Sequence, residues 1–393
     1  MKLDVAIIGA SSSGLYAAEQ LAGAGKRVAV FEQQADLSPA RRTLIITPQL
    51  RHLLGVVPEE AILHRIHTMA LATPAADVRI ALHDPDLIVE RCQLAQMLAD
   101  RAARAGAQIR YGYRFQGIES HPDGVSLRMH AADQGEMTIT ARAVIGADGV
   151  VSDVARAVGL RRPDTVPILQ AEVRLPQGWN PDVTQVWFDT DETRFFYWLI
   201  PESAEYGVVG LVGDDGAETR TLLQQFLARH GLQPLAYQGA QVAMYDRQLR
   251  PWTQVGSAPV LLVGDAAGQV KVTTVGGTVS GIWGAAAAAR ALLQGTTYAQ
   301  ELRGLQRELN LHWLIRELLD CADNANYNRL VRSITPDVQQ FFSQYNRDEM
   351  AGRLWPLLAR RPALVALGLR LLRRRFLDLR RQPSKAMRAV KTE

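Results

Sequence analysis

Two hydrophobic patterns run along this 393-residue chain. Near-continuous apolar runs at residues 3–9, 27–32, 143–145 and 260–263 predict buried strands. Residues 184–188, 194–200 and 206–212 instead alternate and end in Pro, Asp or Gly, as antiparallel strands do. Helical patterns begin at Gly14, which opens an Ala-rich stretch, and recur at residues 93–105 and at 276–293, where Gly and Ala predict close packing. From about residue 300 the composition turns helical. Between residues 364 and 381, Val365, Leu369, Leu372, Phe376 and Leu379 fall on one helical stripe, with Arg370, Arg373, Arg374, Arg380 and Arg381 opposite. The expected fold class is α/β, a Rossmann-like unit combined with an antiparallel sheet and a helical C-terminal region.

The loops between these elements carry the chemistry. The first run, the Ala-rich helix and the second run form a βαβ unit. Its loop, Gly9-Ala10-Ser11-Ser12-Ser13-Gly14, brings free N–H groups and a positive helix end to a pyrophosphate, so Gly9, Ser11, Ser13 and Gly14 are candidate ligands. Ser11 stands where the motif wants its middle glycine, and its small hydroxyl side chain is itself able to face phosphate. Glu32, at the end of the second run, is placed to accept hydrogen bonds from a ribose. A second acidic turn, Gly146-Ala147-Asp148-Gly149, follows the run at 143–145. A third follows the run at 260–263 in Gly264-Asp265-Ala266-Ala267-Gly268-Gln269-Val270-Lys271-Val272-Thr273-Thr274-Val275-Gly276-Gly277, where Asp265 can hold polyol hydroxyls and the next helix points its positive end at a ring system. That return of the nucleotide logic late in the chain favours a flavin over a nicotinamide.

With these three turns in this order, the chain resembles the single-Rossmann flavoprotein superfamily of aromatic hydroxylases, flavin halogenases and geranylgeranyl reductases, over nearly its whole length. The resemblance implies an FAD-binding domain of the glutathione reductase or aromatic hydroxylase type, discontinuous at about residues 1–60, 88–160 and 250–300. A substrate domain with the antiparallel sheet is expected at 61–87 and 161–249, and a basic helical region at 301–393. It further implies that Glu32 holds the adenosine ribose, Asp265 the ribityl or pyrophosphate region, and Gly277 with Thr278 the isoalloxazine edge. Asp148 and Gly149 form the middle fingerprint, and Gly264 and Gly276 flank the third. Arg91, in Ile88-Val89-Glu90-Arg91, looks like the family arginine near flavin and pyrophosphate, and Arg42 is a second candidate.

The third segment is similar to the geranylgeranyl reductases in particular, which saturate isoprenoid chains, although that group usually has proline at Val272 and glycine at Val275. Phe196-Tyr197-Trp198-Leu199-Ile200-Pro201 is a near match to a second signature of the group; strand alternation puts Phe196, Trp198 and Ile200 on one face, able to line an apolar tunnel. The implied activity is hydride transfer from reduced flavin to a C=C bond of an isoprenoid or similar apolar substrate, with NAD(P)H or a reduced protein as electron donor. The alternative is an aromatic monooxygenase or a halogenase acting on a small hydrophobic substrate. No catalytic side chain can be named from the sequence.

Composition adds bounds. A hydrophobic fraction of 47% with 21% charged residues is globular, and the length exceeds one ordinary core. Cys92 and Cys321 lie far apart without a C-x-x-C, so no metal site or redox dithiol is expected and a reducing compartment fits. No second dinucleotide loop appears, so no separate nicotinamide domain is expected. Residues 351–393 hold 12 Lys plus Arg against 2 acids, which leaves the rest of the chain acidic within an overall +4. The basic amphipathic helix suits an anionic bilayer, whereas nucleic acid is disfavoured because no aromatics interleave the charges. With no room for a signal peptide before the first strand and no run of membrane-span length, a cytoplasmic protein is expected, with peripheral contact at the inner membrane surface.

Overall fold

The computed structural model describes residues 2–37, 42–55, 57 and 59–381, except the side chains of 376–381. The apolar runs at the start of the chain become β1 (Lys2–Ile8) and β2 (Val28–Glu32), joined by α1 (Ser12–Gly23). β1 is the centre of an eight-stranded sheet, parallel to β2 on one side and to the strand Gly135–Gly146 on the other; the strand Ala258–Leu262 lies parallel beyond that. Ile8 pairs with Gly146, and Gly146 with Leu262. Three neighbouring strands therefore end at one level, and the three turns singled out in the sequence emerge side by side there.

Both faces of this sheet are covered, which is why its strands read as continuous apolar runs. Val5, Ile7, Val30 and Ile145 pack against α1, the helix Arg91–Arg104 and the helix Thr278–Gln294. Leu3, Ala6, Ile8, Phe31 and Val144 pack instead on Tyr113, Phe115, Leu127 and Met129, from a pair of antiparallel strands, and on Val154 of the short helix Asp153–Ala157.

A second eight-stranded sheet carries the alternating segments. The strands Val183–Trp187, Tyr197–Pro201 and Tyr206–Val212 are neighbours and run antiparallel, while Val183–Trp187 is parallel to Ile62–Thr73 on its other side. The expected strand at 194–200 starts only at Tyr197, because the Thr193 hydroxyl accepts the Phe195 N–H at 3.2 Å and donates to the Val212 carbonyl at 2.9 Å, bending the preceding residues. Alternation divides its side chains as expected. Tyr197 and Leu199 pack on Leu223 and Phe226 of the helix Gly216–Arg229, and Phe196, Trp198 and Ile200 face the other way. Five strands of this sheet have no counterpart in the alternating segments: Thr165–Arg174 and Pro234–Ala243 at one end, and at the other Ile62–Thr73 and Ala76–Glu90, a long hairpin extended by Thr43–Ile46. The strand Thr43–Ile46 thus hydrogen-bonds into the second sheet although residues 1–60 were expected in the cofactor unit.

Among the helices after residue 300, Asn324–Arg332 and Pro336–Gln344 pack on the hairpin of Ile62–Thr73 and Ala76–Glu90, and no described helix is long and apolar enough to cross a membrane. The last helix, Pro362–Arg381, corrects the predicted stripe. It buries Leu367 and Leu371 and leaves Val365 and Leu369 exposed. Arg374, placed on the solvated side by the sequence, bonds Asp323 at 2.8 Å. The side chains of Phe376, Leu379, Arg380 and Arg381 lie outside the described residues.

Candidate active site

Gly9 leaves β1 with φ 100°, and a Cβ built there would stand 2.4 Å from the Ala147 carbonyl oxygen, so the first and second turns touch backbone to backbone. A Cβ on Gly14 would meet the Gly9 oxygen at 2.4 Å. Ser11 explains its departure from the glycine pattern. It is the N-cap of α1, at φ −68°, where any residue fits, and its hydroxyl accepts the Gly14 N–H at 3.2 Å. Glu32 steadies the same loop from behind, accepting the Ala10 N–H at 2.8 Å and the Gln34 N–H at 3.0 Å.

Ser13 joins the first turn to the third. A Cβ on Gly264 would approach its hydroxyl to 2.9 Å and one on Gly281 to 2.6 Å, so both glycines make room for it. Asp265 is half-buried beside Gly277. Burial pushes its carboxyl up, against the pull of Arg42 and Arg91. Gly277 caps the helix Thr278–Gln294 without a side-chain hydrogen bond, so the first N–H groups of that helix take no capping bond from their own N-cap. Asp148 behaves differently. Its carboxylate accepts the Ser152 hydroxyl at 2.7 Å and the Val154 N–H at 3.0 Å, holding the start of the helix Asp153–Ala157, and burial pushes its pKa up.

These turns and the second sheet enclose a cavity of about 400 Å³. One wall carries Ser11, Ser13, Arg42, Arg91, Gly149, Gly264, Asp265, Gly276, Gly277 and Thr278. The facing wall carries Phe196, Trp198 and Ile200 with Phe188, Val212 and Val242. Gly9, Gly14, Glu32 and Asp148 stand behind the wall rather than in it. The donors suit an anionic, elongated ligand. Arg42 and Arg91 outnumber Asp265, and burial together with the Arg91 charge pushes the Arg42 guanidinium down, a strain that an anion between the two arginines relieves. On the lining residues Trp198 and Thr274, the indole Nε1 and the hydroxyl are buried without a protein partner.

The sequence did not single out a buried polar cluster at the cavity's edge. Lys271 is 5% exposed and its ammonium pairs with Asp348, which also accepts the Thr47 hydroxyl at 2.5 Å. Arg347 bonds Asp86 at 2.7 Å, its carbonyl meets His312 Nε2 at 3.0 Å, and Thr273 bonds the other nitrogen of that ring. Burial opposes ionisation of Asp348, but Lys271, the Thr47 hydroxyl and Arg347 outweigh it and hold the carboxyl below its usual range. Lys271, Thr47, Thr273 and Arg347 all line the cavity. Lys271 sits inside the third motif, but its partners lie far downstream with no spacing to announce them.

The model of the FAD binding domain matches residues 2–303. The chain belongs to that family. It is 28% identical to digeranylgeranylglycerophospholipid reductase 1 of Methanothermobacter thermautotrophicus, over 93% of this chain and 98% of that protein. Among solved structures it is similar to a geranylgeranyl bacteriochlorophyll reductase-like protein of Thermoplasma acidophilum, with TM-score 0.74 and 20% identity over 88% of this chain and 96% of that one. It also shares its fold with p-nitrophenol 4-monooxygenase of Pseudomonas putida, with TM-score 0.64 and 17% identity over 91% and 97% of the two chains. The chain is an FAD-dependent oxidoreductase.

Proposed function

We propose that this oxidoreductase saturates C=C bonds of an isoprenoid or similar apolar chain, with NAD(P)H or a reduced protein as electron donor. The observation that carries this reading is the wall of Phe196, Trp198 and Ile200 across the cavity from Gly276, Gly277 and Thr278. FAD, when bound, supplies the hydride. Ser11, Ser13 and the start of α1, with Arg42 and Arg91, would hold its pyrophosphate, Asp265 its ribityl hydroxyls, and the uncapped start of the helix Thr278–Gln294 its ring. Glu32 keeps lone pairs for a ribose while it orders the loop. Asp148 shapes the middle turn from within, and Gly149 presents backbone to the cavity. The aromatic wall excludes water from the reacting carbons.

The test is anaerobic incubation of the dithionite-reduced holoenzyme with geranylgeraniol and geranylgeranyl phospholipids. Product heavier by two hydrogens for each bond reduced is expected. Unchanged lipids, with oxygen consumed and a hydroxylated or halogenated aromatic product in air, would transfer the assignment to the monooxygenase or halogenase reading.

The same proposal extends to location. A reducing, cytoplasmic setting suits a chain with only two cysteines, Cys92 and Cys321, far apart in sequence and without a C-x-x-C. Trp355 at 75%, Leu369 at 61% and Val365 at 40% exposure stand beside the exposed Arg360, Arg370 and Arg373, an arrangement suited to an anionic bilayer surface. Co-sedimentation with phosphatidylglycerol vesicles, and not with phosphatidylcholine vesicles, is the expected result. Leu369→Glu with Trp355→Glu should weaken it about tenfold or more. Equal binding to both vesicle types, or none, would remove the membrane from the proposal.

A further inference from the structure

Val275 is the one non-glycine with positive φ among the described residues, at 54°. Branching at Cβ makes valine one of the side chains least suited to that left-handed conformation. The surrounding bonds hold it there. The Val275 N–H donates to the Lys271 carbonyl at 2.7 Å and the Thr274 N–H to the same oxygen at 3.1 Å, while the Lys271 N–H returns to Gly276 at 3.1 Å. Lys271 is in turn fixed by its buried pair with Asp348. A glycine would satisfy the same turn without penalty. The backbone therefore does not account for the valine.

The side chain does. Val275 is 9% exposed and packs in the cluster that contains Phe196, Trp198, Ile200, Val212 and Val242. Four of those five lie on strands of the second sheet and Phe196 directly precedes one, whereas Val275 comes from the loop beside Gly276 and Gly277, on the cofactor side. Its methyl groups thus reach from one wall of the cavity into the apolar surface of the other. We infer that Val275 is a specificity-determining residue that restricts the cross-section of the apolar ligand, selecting a slim chain over a broad one. A strained residue held by its surroundings at a cavity-lining position is where such a function is expected. This inference rests on the apolar-ligand reading above and refines it.

The test measures dissociation constants of the FAD holoenzyme for two ten-carbon alcohols of different girth, linear n-decanol and cage-shaped 1-adamantanol, from the perturbation of the flavin absorbance. Wild type should favour n-decanol. Val275→Gly and Val275→Ala should each shift the ratio toward 1-adamantanol by about fivefold or more, the scale of discrimination that a few methyl groups provide in an apolar pocket. Retention of the flavin spectrum in each variant certifies the fold. If both alcohols bind and the ratio stays within about twofold in the variants, the inference is overturned. A shift in Val275→Gly without one in Val275→Ala also overturns it, because the backbone rather than side-chain bulk would then be responsible. If neither alcohol binds wild type, the apolar-ligand reading itself fails and this inference with it.

Discussion

Alanine at Gly9 is expected to yield a chain that neither retains FAD nor approaches wild-type stability. Two penalties coincide there. The residue has φ 100°, and the added Cβ would lie 2.4 Å from the Ala147 oxygen and 2.7 Å from its carbonyl carbon, both backbone atoms of a neighbouring turn. Neither atom can swing aside as a flexible side chain would, so β1 and the strand Gly135–Gly146 must separate at their paired ends, where Ile8 meets Gly146. A loss of about 3 kcal/mol or more follows. Gly55 is the internal comparison. It also has positive φ, at 76°, but a Cβ there meets nothing within 4 Å. Gly55→Ala should therefore lose only about 1 kcal/mol, from backbone strain alone, and keep its flavin. Urea denaturation of both variants, with visible absorbance to score the flavin, separates them. A yellow Gly9→Ala protein as stable as Gly55→Ala would show that the contact between the first two turns is not required.

The second large effect is expected at Asp348. Removing its carboxylate by Asp348→Ala leaves the Lys271 ammonium buried without its ion-pair partner and takes the acceptor from the Thr47 hydroxyl. Breaking one side of a buried pair destabilises by about 3–5 kcal/mol. Removing both, as Lys271→Met with Asp348→Leu, should recover much of that loss, because apolar groups of similar volume need no partner. The coupling in this double-mutant cycle is the quantity to measure. The acid limb gives an independent check. Asp348 is held below its usual range in the folded chain, so between its folded and unfolded pKa values the unfolded chain binds more protons, and stability rises with pH there. The contribution is present above about pH 4 and is lost as pH falls through the lower folded value. Asp348→Asn should flatten that limb. An unchanged acid profile in Asp348→Asn would contradict the pairing.

What the sequence reveals follows from where the physical constraint is local. Apolar runs buried on both faces, such as residues 3–9, and glycines that must admit another backbone, such as Gly9 and Gly264, are visible in a single stretch of chain. The direction of Phe196, Trp198 and Ile200 follows from strand alternation alone. The hairpin of Ile62–Thr73 and Ala76–Glu90 was not legible, because its strands are largely half-buried and interrupt any alternation with His64, Arg65, His67, His83 and Asp84. Asp148 looked like a ligand because an acidic turn carries no mark of whether its carboxylate turns inward to cap a helix. The last helix was misassigned by one step of its periodicity, since Leu364–Arg381 holds enough leucines to supply two stripes and only tertiary contact selects Leu367 and Leu371 for burial. The ionic cluster could not be anticipated at all. Lys271 and Asp348 owe their meeting to the path of the final helices, and neither has a neighbour in sequence that predicts it.

That meeting ties the cavity to the last part of the chain. The nucleotide loop, both sheets and Lys271 are all translated before the carboxylate that neutralises this lysine leaves the ribosome. In any form of the chain that ends before residue 348, Lys271 lacks the carboxylate it pairs with, and the rim of the cavity keeps one more positive charge. A ribosome-stalled or protease-clipped form ending before that point should acquire its pigment late and release it early, which makes the tail a checkpoint on maturation as much as a cover.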